Sequence, residues 1–212
     1  MTAPPSITRR GRVAVAQSAP QAAEDARELA SSLREPDRFG IIFDRYFTEI
    51  HQYVARRLGR DAADDIAAET FLTAFRQRRR FDAERGIVRA WLYGIATNHI
   101  SRHYRGQARA ARAMARAAVP ALADDDVDQV ADRVTAGAAR AEIAAALADL
   151  SRGDREVLLL VALGGLSHAE IALALGIPYG TVGSRLSRAR RQLRPVLAGI
   201  DPAIDQEDQG NG

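Results

Sequence analysis

Residues 167–194, SHAEIALALGIPYGTVGSRLSRARRQLR, carry two short amphipathic helices joined by a tight turn. Ser167 and Glu170 have the spacing of a capping box, in which a hydroxyl and a carboxylate satisfy each other's free backbone N–H at a helix start. Ile171, Ala172 and Leu175 give this first helix its buried face, and Gly176 permits the turn that ends it. Pro178 suits the first turn of the next helix, where its missing N–H is no loss. There Val182, Leu186, Ala189 and Leu193 fall at i, i+4, i+7 and i+11, one continuous inward stripe. The opposite face presents Thr181, Ser184, Arg185, Arg188 and Gln192, with Arg190, Arg191 and Arg194 towards the end, and no acid falls between Glu170 and Asp201. A supporting helix followed by a helix lined outward with hydroxyls and arginines is what major-groove recognition by a helix-turn-helix needs. A basic face that is merely solvated is the simpler alternative, but it does not require cap, turn glycine and apolar stripe to coincide.

Upstream, Ile143, Ala146, Leu147 and Leu150, and then Val157, Leu158, Leu160, Val161 and Leu163, recur at helical spacing on either side of a Ser-Arg-Gly-Asp turn. A small helical domain is therefore expected over 138–198. A second is expected over 37–106. Its first helix carries Ile41, Ile42, Tyr46, Ile50, Tyr53 and Val54 and ends at Gly59, and its second carries Ile66, Thr70, Phe71, Ala74 and Phe75 on one face with Asp64, Asp65 and Glu69 on the other. Val88, Trp91, Leu92, Ile95 and Ala96 open a third, which runs into the Arg-containing segment 98–105. Residues 107–137, with Pro120 and the acids Asp124 to Asp126 and Asp128, have the composition of a flexible linker. Residues 1–36 are expected to be mostly a flexible tail with a short helix around Ala22 to Leu33, and 199–212 an acidic tail.

Composition narrows the classes. Aromatics make up 6% of the 212 residues and helix formers abound, which predicts an all-α fold of two small domains. Cysteine is absent, so disulfides, thiolate nucleophiles and cysteine-ligated zinc are excluded. No run of about 18 apolar residues and no signal-peptide core occur, so the expectation is a cytoplasmic protein without membrane insertion. All 30 basic residues are arginine, which with the alanine richness points to codon bias in a GC-rich genome. His99 and His103 have a metal-capable i, i+4 spacing, but no glutamate follows His99 in the HExxH manner and no third ligand accompanies them. No metal, cofactor, small-molecule substrate or enzymatic activity is expected.

The segment GTVGSRLSRARRQLR (180–194), preceded by LSHAEIALALGIPY (166–179), closely resembles the region 4.2 helix-turn-helix of sigma-70 family factors of the extracytoplasmic-function (ECF) group. ADLSRGDREVLLLVALGGLS (148–167) is similar to region 4.1, IIFDRYFTEIHQYVARRLG (41–59) to region 2.1, DAADDIAAETFLTAFRQ (61–77) to region 2.2, and RAWLYGIATNHISRHYR (89–105) to regions 2.3 and 2.4. Order and spacing also match those of the family.

The resemblance implies an alternative sigma factor that joins core RNA polymerase and recognises promoter DNA, and that is held inactive by an anti-sigma factor. It implies minus-35 contacts from Tyr179, Thr181, Ser184, Arg185, Arg188 and Arg191, and minus-10 contacts from Asn98, Ser101, Arg102 and Arg105. It implies that Asp64, Asp65, Glu69, Thr70 and Phe71 meet the clamp of the polymerase's largest subunit. Trp91 is equally suited to core packing and to stacking on an unpaired base. Two positions depart from the family pattern: Gly183 stands within the recognition helix where relatives carry a longer or basic residue, and Ser101 replaces a common acid. The rival reading is a helix-turn-helix regulator that binds duplex operator without polymerase.

Overall fold

The computed structural model describes residues 17–84, 86–117 and 141–200. Among the described residues regular structure is entirely helical: α1 (Ala19–Ser31), α2 (Phe39–Leu58), α3 (Ala63–Gln77), α4 (Val88–Ala117), α5 (residues 141–149), α6 (Arg152–Ala162), α7 (His168–Leu175) and α8 (Tyr179–Ile200), with short 3-10 turns at Pro36–Arg38 and Arg78–Arg80. The all-α expectation holds, and the sequence-predicted helices lie close to these bounds. None of the described helices is long and apolar enough to cross a membrane.

Two boundaries move. The N-terminal stretch expected to be mostly tail is helical from Ala19 and joins the core through Leu29, while Asp25 is buried and bonded to Arg45 and Tyr46 of α2 and to Gln17. A helix with so few apolar residues shows weak periodicity, and it is α2 that holds it. The linker expected from residue 107 begins later, because α4 continues past Gly106 to Ala117. The acidic run Asp124 to Asp126, Asp128 and the tail from Asp201 lie outside the described residues.

The larger finding is that the two helical halves pack together. Ile42, Ile50 and Val54 of α2, Phe71 of α3 and Leu92 and Ile100 of α4 belong to one buried cluster with Val157 and Leu160 of α6, Ile171 of α7 and Val182 and Leu186 of α8. Each such side chain removed from water contributes about 1.5–3 kcal/mol. α7 lies directly on α4, and Gly94 makes this possible: a Cβ there would run into the backbone carbonyl of Ala174.

Polar pairs fasten the same seam. Arg89 of α4 donates to Glu49 of α2, to Glu170 of α7 (2.7 Å) and to the Gly164 carbonyl (2.9 Å), and the Tyr93 hydroxyl donates to Glu49 (3.0 Å). Burial pulls the Arg89 guanidinium towards neutrality, but the hydrogen bonds and charges of Glu49 and Glu170 outweigh it and leave the pKa raised. Arg57 of α2 forms a second buried pair with Glu156 of α6, at 2.9 and 3.1 Å. Losing one partner of such a pair leaves an uncompensated buried charge, which costs about 3–5 kcal/mol.

Candidate nucleic-acid interface

The helix-turn-helix is built as its residues demand. The Ser167 backbone N–H donates to the Glu170 carboxylate (2.9 Å), and the Glu170 N–H donates to Ser167 Oγ (3.3 Å), closing the capping box. Gly176 has φ +62°, the left-handed region that favours glycine, and the Ile177 N–H returns to the Ala172 carbonyl at 3.0 Å. The predicted stripe of α8, Val182, Leu186, Ala189 and Leu193, is buried throughout. The opposite face is therefore turned outward, with Ser184, Arg188, Arg190, Arg191 and Arg194 exposed and Tyr179 63% exposed at its N-terminal end.

The candidate minus-35 residues do not share one environment. Arg188 is paired with the buried Asp154 of α6, through Nη2 at 2.9 Å and Nε at 3.3 Å. This partner lies 34 residues upstream, outside the acid-free stretch that made the face look uniformly basic. The Arg188 hydrogen bond, aided by the Arg188 and Arg185 charges, holds the Asp154 carboxyl below its usual range. Arg185 is half-buried and its guanidinium lies across Gly153, where a Cβ would come within 2.8 Å of it. Ser184 Oγ donates back to the Thr181 carbonyl (3.1 Å), and Thr181 itself is half-buried.

Three of the four candidate minus-10 residues line two separate hollows. Asn98 is exposed and lines a hollow of about 320 Å³ with Gln77, Asp82, Trp91 and Phe81; the last two rings lie 5.2 Å apart. Leu173 and Ala174 of α7 form another part of its wall. Arg102 is exposed. Ser101 is buried, and with Arg105 it lines a separate, larger cleft against α5 and α6. Ser101 is thus corrected from a surface contact to a packed residue, because the second helical half covers this side of α4. Gln77, Phe81 and Asp82 were not anticipated; Gln77 is the last residue of α3, and Phe81 and Asp82 come from the connection between α3 and α4, whose residues share no periodicity.

The acidic face of α3 also needs correction. Asp64, Asp65 and Glu69 are exposed as expected, with Asp64 bonded to His51 (2.8 Å) and Glu69 3.2 Å from His99 Nδ1. Thr70 is buried and donates to the Ile66 carbonyl (2.7 Å), and Phe71 packs against Phe43 and Phe47. Turning Phe71 inward turns the next residue, Leu72, outward. Asp65, Glu69 and Leu72 then form the exposed stripe at i, i+4 and i+7, with Phe43 of α2 also exposed. His99 faces α3 through Thr73 (3.0 Å), and burial lowers its pKa against the opposing charge of Glu69.

An all-helical fold presenting a capped helix-turn-helix with a basic outer face defines a DNA-binding protein of the helix-turn-helix class. The sigma-70 region 2 family model matches residues 42–110, and the sigma-70 region 4 model matches residues 140–193. The chain is 37% identical over 155 residues to the probable RNA polymerase sigma-C factor of Mycobacterium bovis, covering 73% of this chain and 78% of that protein. It is 31% identical over 149 residues to the RNA polymerase sigma factor HrpL of Pseudomonas syringae pv. syringae, covering 67% of this chain and 75% of the relative. Its likeness to the ECF RNA polymerase sigma factor BldN of Streptomyces coelicolor is 36% over 72 residues, covering 34% of this chain and 27% of that protein. Among solved structures, CnrH in complex with the cytosolic domain of CnrY superposes with a TM-score of 0.57 at 28% identity, covering 84% of this chain and 97% of that one. The chain belongs to the ECF group of the sigma-70 family of RNA polymerase sigma factors.

Proposed function

We propose that this chain is an alternative sigma factor that binds core RNA polymerase, directs it to minus-35 and minus-10 promoter elements, and performs no catalysis itself. The observation that carries this reading is the capped helix-turn-helix with arginines along its outer face, joined in one chain to region 2 helices. Arg185, Arg188, Arg191, Ser184 and Tyr179 are the minus-35 surface, with Arg188 held in position by Asp154. Asn98, which lines the hollow with Trp91 and Phe81, and the exposed Arg102 one helical turn on hold unpaired bases of the minus-10 strand, which aromatic rings and arginines bind through stacking and charge. The stripe Asp65, Glu69 and Leu72 docks on the polymerase, acids against basic residues around an apolar contact. An anti-sigma partner and a cytoplasmic, nucleoid-associated location complete the proposal; sigma factor RpoE of Bartonella quintana, a 23% identical structure, was crystallised with the anti-sigma factor NepR.

Run-off transcription with the purified chain and bacterial core polymerase on a library of genomic promoters tests the reading. Specific initiation should require both components. Tight duplex binding by the chain alone, with no polymerase binding, would instead establish an operator-binding regulator.

A further inference from the structure

We infer that the outer face of α4 beyond the base hollow is a track for the backbone phosphates of duplex DNA on the minus-35 side of the melted minus-10 strand. Trp91 and Asn98 line that hollow, and Arg102, Arg105, Arg109 and Arg112 follow Asn98 at i+4, i+7, i+11 and i+14. At about 100° per residue the positions from Asn98 to Arg112 fall within roughly 80° of arc, and at about 1.5 Å per residue they span roughly 21 Å. Asn98 and all four arginines are exposed. No acidic residue falls between Glu84 and Asp124. Among the described residues none of the four guanidiniums meets a carboxylate. Arg105 and Arg109 donate through Nε to the Ser101 and Arg105 carbonyls, both at 3.2 Å, which orients the groups without cancelling their charge.

Neither packing nor helix stability accounts for this stripe. Every residue from Gln107 to Met114 is exposed, so this end of α4 adds nothing to the buried cluster, and the sigma-70 region 2 match ends at residue 110. A solvated helix face ordinarily interleaves both signs, because like charges at i, i+3 and i, i+4 work against a helix; here each successive pair of arginines has that spacing. The helix dipole favours cations only in the last turn, and α4 ends at Ala117, beyond all four. A duplex supplies the missing anions. One strand carries a phosphate about every 3.4 Å, so the roughly 15 Å of helix from Arg102 to Arg112 passes about four of them. α4 leads along the chain towards the half that carries the helix-turn-helix, which puts the track on the minus-35 side. The inference rests on the minus-10 reading of the hollow, because a strand held at Asn98 re-enters duplex within reach of the turns that follow.

The test uses the full chain assembled with core polymerase and two probes from a promoter found by run-off transcription. One probe is the single minus-10 strand; the other joins that strand to upstream duplex that stops short of minus-35. Arg109→Gln combined with Arg112→Gln should weaken binding of the forked probe about tenfold near 0.2 M salt, and lower the slope of log K against log salt by about 2. Binding of the single strand should not change. Arg109→Lys combined with Arg112→Lys should keep the forked probe bound, since a phosphate accepts a point charge. Circular dichroism and assembly with polymerase should match those of the unmodified chain. Undiminished binding of the forked probe by the Gln variant, an equal loss on the single strand, or a loss of polymerase assembly instead overturns the inference and leaves the minus-10 reading standing. An unmodified holoenzyme that prefers neither probe to a scrambled strand overturns the minus-10 reading and the inference with it.

Discussion

Arg185 and Arg188 lie on one face of α8 and differ in what the fold does with them. Arg188 is tied to Asp154, while Arg185 rests across the backbone of Gly153. If Arg185 reads a base through a bidentate contact, Arg185→Ala should weaken promoter binding by holoenzyme by about 1–3 kcal/mol and relax specificity at one position; a small loss uniform across sequences would mean a phosphate contact instead. Asp154 adds a pH signature. Its carboxyl titrates below its usual range because Arg188 stabilises the charged form, so the contribution is present above about pH 3.9 and is lost as pH falls through the lower folded-state value. Melting temperature measured against pH should fall less steeply on the acid side for Asp154→Asn than for the unmodified chain, and identical slopes would deny the pair that role.

Within α7, one carboxylate serves two tasks: Glu170 closes the capping box with Ser167 and receives the buried Arg89. Ser167→Ala removes only the cap, with an expected loss of about 0.5–2 kcal/mol in denaturant unfolding. Glu170→Ala should cost more, because it also removes one of the two carboxylates, Glu49 and Glu170, that pair with the buried Arg89. In α3 the lesson is rotational. A step of one residue turns the helix by about 100°, so a buried Phe71 obliges an exposed Leu72. Leu72→Glu should weaken capture by core polymerase while leaving the free energy of unfolding within about 0.5 kcal/mol of unchanged, as expected of a surface substitution. Full polymerase binding by that variant would remove the stripe from the docking surface.

The two helical halves share a core, yet promoter elements at minus-10 and minus-35 lie about 25 base pairs apart, or roughly 85 Å at 3.4 Å per pair. The contact of α7 with α4, which also walls the Asn98 hollow through Leu173 and Ala174, must therefore part before one chain can reach both. Gly94 is where that seam is most sensitive, since any side chain there meets the Ala174 backbone. Gly94→Leu should enlarge the radius of gyration measured by small-angle scattering while helix content stays constant. An unchanged radius would show that the seam accommodates the added bulk.

Sequence alone determined the helix-turn-helix, because its signals are local: a cap whose two partners stand three residues apart, a glycine turn and an apolar stripe of fixed period all lie within 167–194. The α2, α3 and α4 core residues were legible for the same reason. What only the tertiary structure decided involves partners far apart in the chain. Asp154 beside Arg188, Leu29 and Asp25 in the core, the burial of Ser101 under the second half, and the Arg89 pairings with Glu49 and Glu170 join residues separated by tens of positions. Periodicity reports which face of a helix turns inward; it carries no information about which other helix will meet that face, because the hydrophobic driving force is non-directional and the choice of partner rests on shape and charge brought together only by folding.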